Sequence, residues 1–199
     1  MTTPSPRAQS LSFQVNRGSH RTRRDGTCLM ELASVIGGEG FSARPRCVPP
    51  TLAALARLVN DHVVDKRRQE LVRLLPTMMS GPGEDRRVGW LLVLSCLDSA
   101  QRISPRRALR RQRRRALARL RRLEAGPSRV QWLDDLRFRL ASFRAVYAST
   151  WLALAEGDEA LCSLLADAVK VYANLTPSGQ AMFESAAAPR HDGVPAAAR

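Results

Sequence analysis

The sequence predicts an all-α fold, an irregular bundle of about six to eight helices with disordered tails at both ends. Three observations carry this. Apolar residues recur in steps of three and four through segment after segment, the period of one helix face. No run of alternating polar and apolar residues competes as a strand. Apolar residues make up 44% of the chain and aromatics only 5%, so the core is mostly Leu, Ala and Val, as helix packing favours. At 199 residues one core-bearing domain is the simplest organisation. It is placed at 25–185, between a basic arm at 1–24 and a tail at 186–199.

The arm carries Pro, Ser and five Arg, with no acid and no periodicity, which predicts disorder. A first helix follows. Asp25 or Thr27 can cap it through a short oxygen side chain. Cys28, Leu29, Leu32 and Ile36 then share a face, and Gly37-Gly38 stops the run. Pro45, Pro49 and Pro50 stiffen the link, and Pro50 suits the first turn of the second helix. That helix has Leu52, Leu55, Ala56, Val59 and Val63 as its stripe.

The segment CLMELASVIGGEGFSARPRC, 28–47, resembles one that recurs in uncharacterised actinobacterial and actinophage proteins. Their pattern runs Cys-x-Met-Glu, a helix, Gly-Glu, two residues, then Ser-Asp-His-Pro-x-Cys. Cys28, Met30, Glu31, Gly38, Glu39, Ser42, Pro45 and Cys47 match it, while Ala43 and Arg44 stand in place of the Asp and His. With a weaker extension through LAALARLVND, the likeness spans about a fifth of the chain. It implies a shared fold unit and no reaction.

Asp65 to Leu75 reads as a third helix with Leu71, Leu74 and Leu75 inward, ended or kinked by Pro76. SGPG at 80–83 is a break. From Glu84 to about Arg102 a fourth helix carries Val88, Trp90, Leu91, Leu92, Val93, Leu94 and Leu97. It is apolar on most sides, as a central helix is. Ser104-Pro105 reads as a cap and first-turn proline for a fifth helix that ends near Leu123. Ser128 and Gln131 have capping-box spacing. The sixth helix runs from Arg129 to about Glu156. Its 3-4 seam of Leu133, Leu136, Leu140, Phe143, Tyr147, Thr150 and Leu154 is expected to face the stretch Trp90–Leu97. Gly157 fits a stop and Asp158 a cap. A seventh helix follows with Leu161, Leu164, Leu165, Ala168 and Tyr172, and Thr176-Pro177 can open a last short one.

Charge is the strongest functional signal. The net charge is +14, and it is concentrated. Residues 102–122 hold eleven Arg and no acid, and outside that stretch and the arm the chain is near neutral. On a 100° wheel Leu109, Ala116, Leu120 and Leu123 form one stripe, with Arg107, Arg110, Arg111, Arg114, Arg115, Arg121 and Arg122 opposite. A rod of guanidiniums complements a row of phosphates, because each planar fork donates to two oxygens. The expected role is non-catalytic: a nucleic-acid-associated accessory or regulatory protein using the helix at 105–123. Its partner is DNA or RNA, contacted at the backbone with weak sequence preference. No aromatic lies between Trp90 and Trp132, so no base-stacking platform accompanies the basic run. The alternatives are a helical module whose basic face meets an acidic protein, and a solvated face in an arginine-rich proteome.

Other chemistry is weakly indicated. No Ser–His–Asp set, paired carboxylates or phosphate-binding glycine loop is legible, so no catalytic residue and no cofactor is expected. Cys28, Cys47, Cys96 and Cys162 form no Cys-x-x-Cys pair, and His20 and His62 sit at no ligand spacing, so no metal site is expected. The residue types instead make Cys28, Glu31, Glu39 and Cys47 a structural loop. Its two cysteines are expected to be buried near one another, and Glu31 to pair with Arg44 or Arg46. No apolar run reaches the ~20 residues of a membrane span, and no signal peptide is apparent. The expected location is a reducing cytoplasm, without membrane contact; the oligomeric state stays open.

Overall fold

A computed structural model of the chain describes residues 14–81, 85–124 and 131–175, and all regular structure among them is helical. Helix α1, Leu29–Ile36, is capped by Cys28 and not by Asp25 or Thr27. The Cys28 thiol accepts from the Glu31 N–H at 3.4 Å, and the Glu31 carboxylate accepts from the Cys28 N–H at 2.8 Å. This is a capping box with sulfur where Ser or Thr usually stands. Asp25 instead closes the preceding turn, accepting from Thr22 N–H and Oγ1. Leu29 and Leu32 are buried, but Ile36, at the last turn, is 56% exposed and leaves the expected stripe. Gly38, at φ 72°, takes the left-handed turn that leads the chain away.

Helix α2, Pro50–His62, begins on its proline as expected. Its apolar face, Leu52, Leu55, Ala56 and Val59, is fully buried. Its C-terminal end is closed by Arg68, itself buried, which donates to the carbonyls of Asn60 at 2.8 Å and Val63 at 2.7 Å. A cation there also meets the negative end of the helix dipole.

The expected third helix is three pieces: α3, Asp65–Glu70, a 3₁₀ turn at Leu71–Leu74, and α4, Leu75–Met78. Pro76 is the cause. It has no N–H to give the Val72 carbonyl, and that carbonyl is taken one residue early by the Leu75 N–H. Pro76 therefore opens α4, where its missing donor costs nothing. Leu71, Leu74 and Leu75 are buried as expected.

Helix α5, Arg86–Ile103, is capped by Asp85, whose carboxylate accepts from the Arg87 N–H at 2.7 Å. It packs against α2, and against α6 (Arg107–Glu124), α7 (Gln131–Glu156) and α8 (Asp158–Ala173), which makes it the central helix predicted from its all-round apolar surface. Helix α6 starts two residues beyond Ser104-Pro105, which stay outside it. Gly157, at φ 102°, both ends α7 and caps α8. Asp158 is already helical, and its carboxylate accepts from the Val64 N–H at 2.9 Å, tying α8 to the start of α3.

Two larger expectations are corrected as well. The 3-4 seam of α7 does not face α5: Leu136, Leu140, Phe143 and Tyr147 are 41–64% exposed, and Leu133 and Leu154 only partly covered. The buried side is the small-residue face with Ala145, Val146, Ser149 and Ala153. Where Gly89 of α5 meets Phe138 of α7, a methyl group on the glycine would stand 2.3 Å from the ring. The hydroxyls on this face are satisfied locally, Ser149 and Thr150 both donating to the Val146 carbonyl at 3.0 and 2.8 Å.

The second correction concerns the arm. Its last residues, from Gln14, lie on the helical body. Val15 exchanges two hydrogen bonds with the Gln69 side chain, and Gly18 N–H donates to Asp61 at 2.8 Å. The Ser128–Gln131 capping box, the helix after Thr176-Pro177, the tail at 186–199 and the second half of the SGPG break lie outside the described residues.

Candidate nucleic-acid interface

Helix α6 holds nine arginines and one acid, Glu124, in 18 residues. Leu109, Ala116 and Leu120 are buried against the body, with Leu123 half-buried beside them. Ion pairs fix the helix's rotation. Arg113 pairs with Asp98 of α5, Arg119 with Asp134 of α7 at 3.2 Å, and Glu124 with Arg87 of α5 at 3.4 Å. The acids of the body therefore take the arginines flanking the apolar stripe.

Arg107, Arg110, Arg111, Arg114, Arg115, Arg121 and Arg122 are all exposed. Among the described residues none of the seven has a carboxylate partner; Arg110 alone reaches a main-chain acceptor, the Pro105 carbonyl at 3.2 Å. Like charges one helical turn apart repel. The 18-residue helix presents this row over about 27 Å.

Three further arginines escaped the sequence reading. Arg137, Arg139 and Arg144 of α7 are exposed. Arg137 and Arg144 join Arg115, Arg119 and Arg122 along a groove of about 450 Å³ between α6 and α7, floored by Trp90, Val93 and Leu97 of α5. A signal for them existed: from Leu136 to Ala155 the chain has no acid at all. The apolar seam of the same helix is the stronger periodic signal and masks it. The same reading missed that Phe143, Tyr147 and Trp151 lie exposed on that helix. The Phe143 and Tyr147 rings are stacked at 5.1 Å, and Tyr147 lies 6.1 Å from Trp151. Aromatic surface absent from the basic run itself thus occurs one helix away.

The loop residues Cys28, Glu31, Glu39 and Cys47 do not converge on one centre. Cys28 caps the start of α1, while the Cys47 thiol donates to the Ala33 carbonyl at 3.8 Å, next to Gly37 at its end. Cys28 is buried and Cys47 half-buried; both are free. Burial raises both thiols to about 11, so each is protonated at neutral pH and a poor nucleophile. Glu31 does not pair with Arg44 or Arg46. It is 1% exposed and accepts from the His20 N–H at 2.6 Å and the His20 ring at 2.9 Å. Glu39 holds the loop instead, accepting from the Arg46 and Cys47 N–H groups at 2.5 and 2.6 Å.

Burial works to raise the Glu31 pKa, but the N–H donors of Cys28 and His20 outweigh it and hold the carboxyl below its ordinary value. Among the described residues no three His, Cys, Asp or Glu side chains are grouped to hold a metal ion. Comparison with known protein families, with curated proteins and with solved structures finds no match.

Proposed function

We propose that the protein is a non-catalytic, nucleic-acid-associated accessory or regulatory protein that grips the phosphate backbone with the outer face of α6. The observation that supports this is the division of labour along the helix. Arg113 and Arg119 are neutralised by the body, while seven neighbours on the outer side have no carboxylate partner among the described residues. A polyanion relieves that repulsion and gains charge-assisted bonds. Recognition through phosphates carries no base information, so DNA or RNA is bound with weak sequence preference. The second reading, an acidic protein on the same face, uses the same charges and differs in its probe.

Gel shifts with duplex DNA, single strands and RNA at several salt concentrations test the proposal. Five or six neutralised phosphates give a slope of log affinity against log salt of about −5. No binding at low salt would overturn it and leave the acidic protein. No described helix is long and apolar enough to cross a membrane. We place the protein in the cytoplasm, where four free cysteines stay reduced. We propose that the resemblance of residues 28–47 to actinobacterial and actinophage proteins, with its weaker extension through 52–61, marks a shared unit of α1, the loop and α2.

A further inference from the structure

The outward ridge of α7 is the largest feature the nucleic-acid reading leaves unused. Leu136, Leu140, Phe143, Tyr147 and Trp151 follow one another at steps of four, three, four and four, and are 41–64% exposed. Five such side chains, about half exposed and roughly 150–250 Å² each for the rings, leave on the order of 500 Å² of apolar surface, near the top of what a monomer shows. The spacing is that of one helix receiving another.

Charge decides which helix. Arg57 and Arg139 border the ridge on the α2 side, in a groove of about 510 Å³, and Arg115, Arg122, Arg137 and Arg144 border it on the α6 side. Among the described residues the acids beside these two grooves are Asp134, paired with Arg119 and Arg137, and Asp135, paired with Arg86, at the first turn of α7, and Asp61 in the α2 groove, which accepts from Gly18 and Asn60. A second copy laid on the ridge would bring Arg137, Arg139 and Arg144 against the same residues.

We propose that the α7 ridge is the docking site for an acidic amphipathic helix of a partner protein. Its Leu-type side chains would cover Leu140, Phe143 and Tyr147, and its flanking Glu and Asp would meet the arginines of both grooves. The proposal does not rest on nucleic-acid binding by α6, although Arg115 and Arg122 border both surfaces.

The test uses the full chain and three labelled synthetic peptides of about three helical turns or more. The first has Leu at 3-4 spacing with Glu flanks, the second the same Leu with Lys flanks, and the third is the acidic peptide scrambled. Fluorescence anisotropy should show saturable binding of the first, at least tenfold tighter than either control. Phe143→Ser with Tyr147→Ser, and separately Arg139→Glu with Arg144→Glu, should each weaken it at least tenfold, while the α6 variant Arg110→Gln with Arg111→Gln should not. Equal binding of the scrambled peptide, no binding of the first, or unchanged affinity in the ridge variant overturns the proposal. So does a dimer in sedimentation that the ridge variant dissociates, or flotation with phosphatidylserine vesicles that it abolishes; these assign the ridge to a second copy or to a lipid surface.

Discussion

Helices α6 and α7 both pack on α5, and they hide opposite kinds of surface. α6 buries its only apolar stripe, Leu109, Ala116 and Leu120, and turns its arginines out. α7 has two candidate stripes. It buries the small one, through Ala145, Ser149 and Ala153, and exposes the large one, Leu136 to Trp151. The difference teaches that periodicity says a stripe wants a partner, and the available partner decides which stripe is used. On α6 the density of arginine leaves one choice. On α7 the face turned to the body is small except where Gly89 of α5 makes room for the Phe138 ring, and the longer seam is left for something else.

The sharpest contrast to the exposed charges of α6 is the buried charge of Glu31. Replacing it with Ala strands the N–H groups of Cys28 and His20, at ~1–3 kcal/mol for each buried donor left unpaired, read by urea titration at neutral pH. Glu31→Gln keeps the shape and tests the pH dependence. The folded carboxyl sits below its ordinary value near 4.5. The stability it gives is therefore present above pH about 4.5 and lost as pH falls through the lower folded value. The variant should show a shallower loss below that point, with the share of Glu39, also held low by the Arg46 N–H, remaining. An unchanged acid slope would mean that Glu31 is not held as described.

The two stripes of α7 can be tested directly against each other. Ala153→Leu adds volume to the fully buried small face and should cost ~1–3 kcal/mol. Phe143→Ala removes a ring that is 64% exposed and should change stability by no more than about 0.5 kcal/mol. Thermal melts of both settle the assignment: a loss of several kcal/mol in Phe143→Ala, with none in Ala153→Leu, would return the large seam to the core.

Much of this arrangement is legible from local pattern. The all-round apolar surface of α5, the proline start of α2 and the two faces of α6 each follow from spacing within one segment. What escaped depends on partners distant in sequence or on an uncommon residue. Cys28 was not read as a cap because thiols accept weakly. Glu31 was assigned to Arg44 or Arg46 by proximity, whereas the arm brings His20 to it. The composition of the arm predicts disorder. Its residues from Gln14 are instead held by Gln69 and Asp61, which nothing between 1 and 24 announces. The exposed side of α6 is legible because amphipathy and charge agree there.

The central claim is that the outer arginines of α6 hold phosphates, and the salt dependence of binding reads that claim directly. Replacing Arg110, Arg111, Arg114 and Arg115 with Gln keeps helix propensity and leaves the ion pairs of Arg113 and Arg119 in place. The wild-type slope of log affinity against log salt should be about −5, and each lost phosphate contact should reduce it by about 0.9. The variant should therefore stay folded, bind unrelated sequences equally weakly, and show a slope near −1 to −2. Wild-type affinity and slope in that variant would contradict the account.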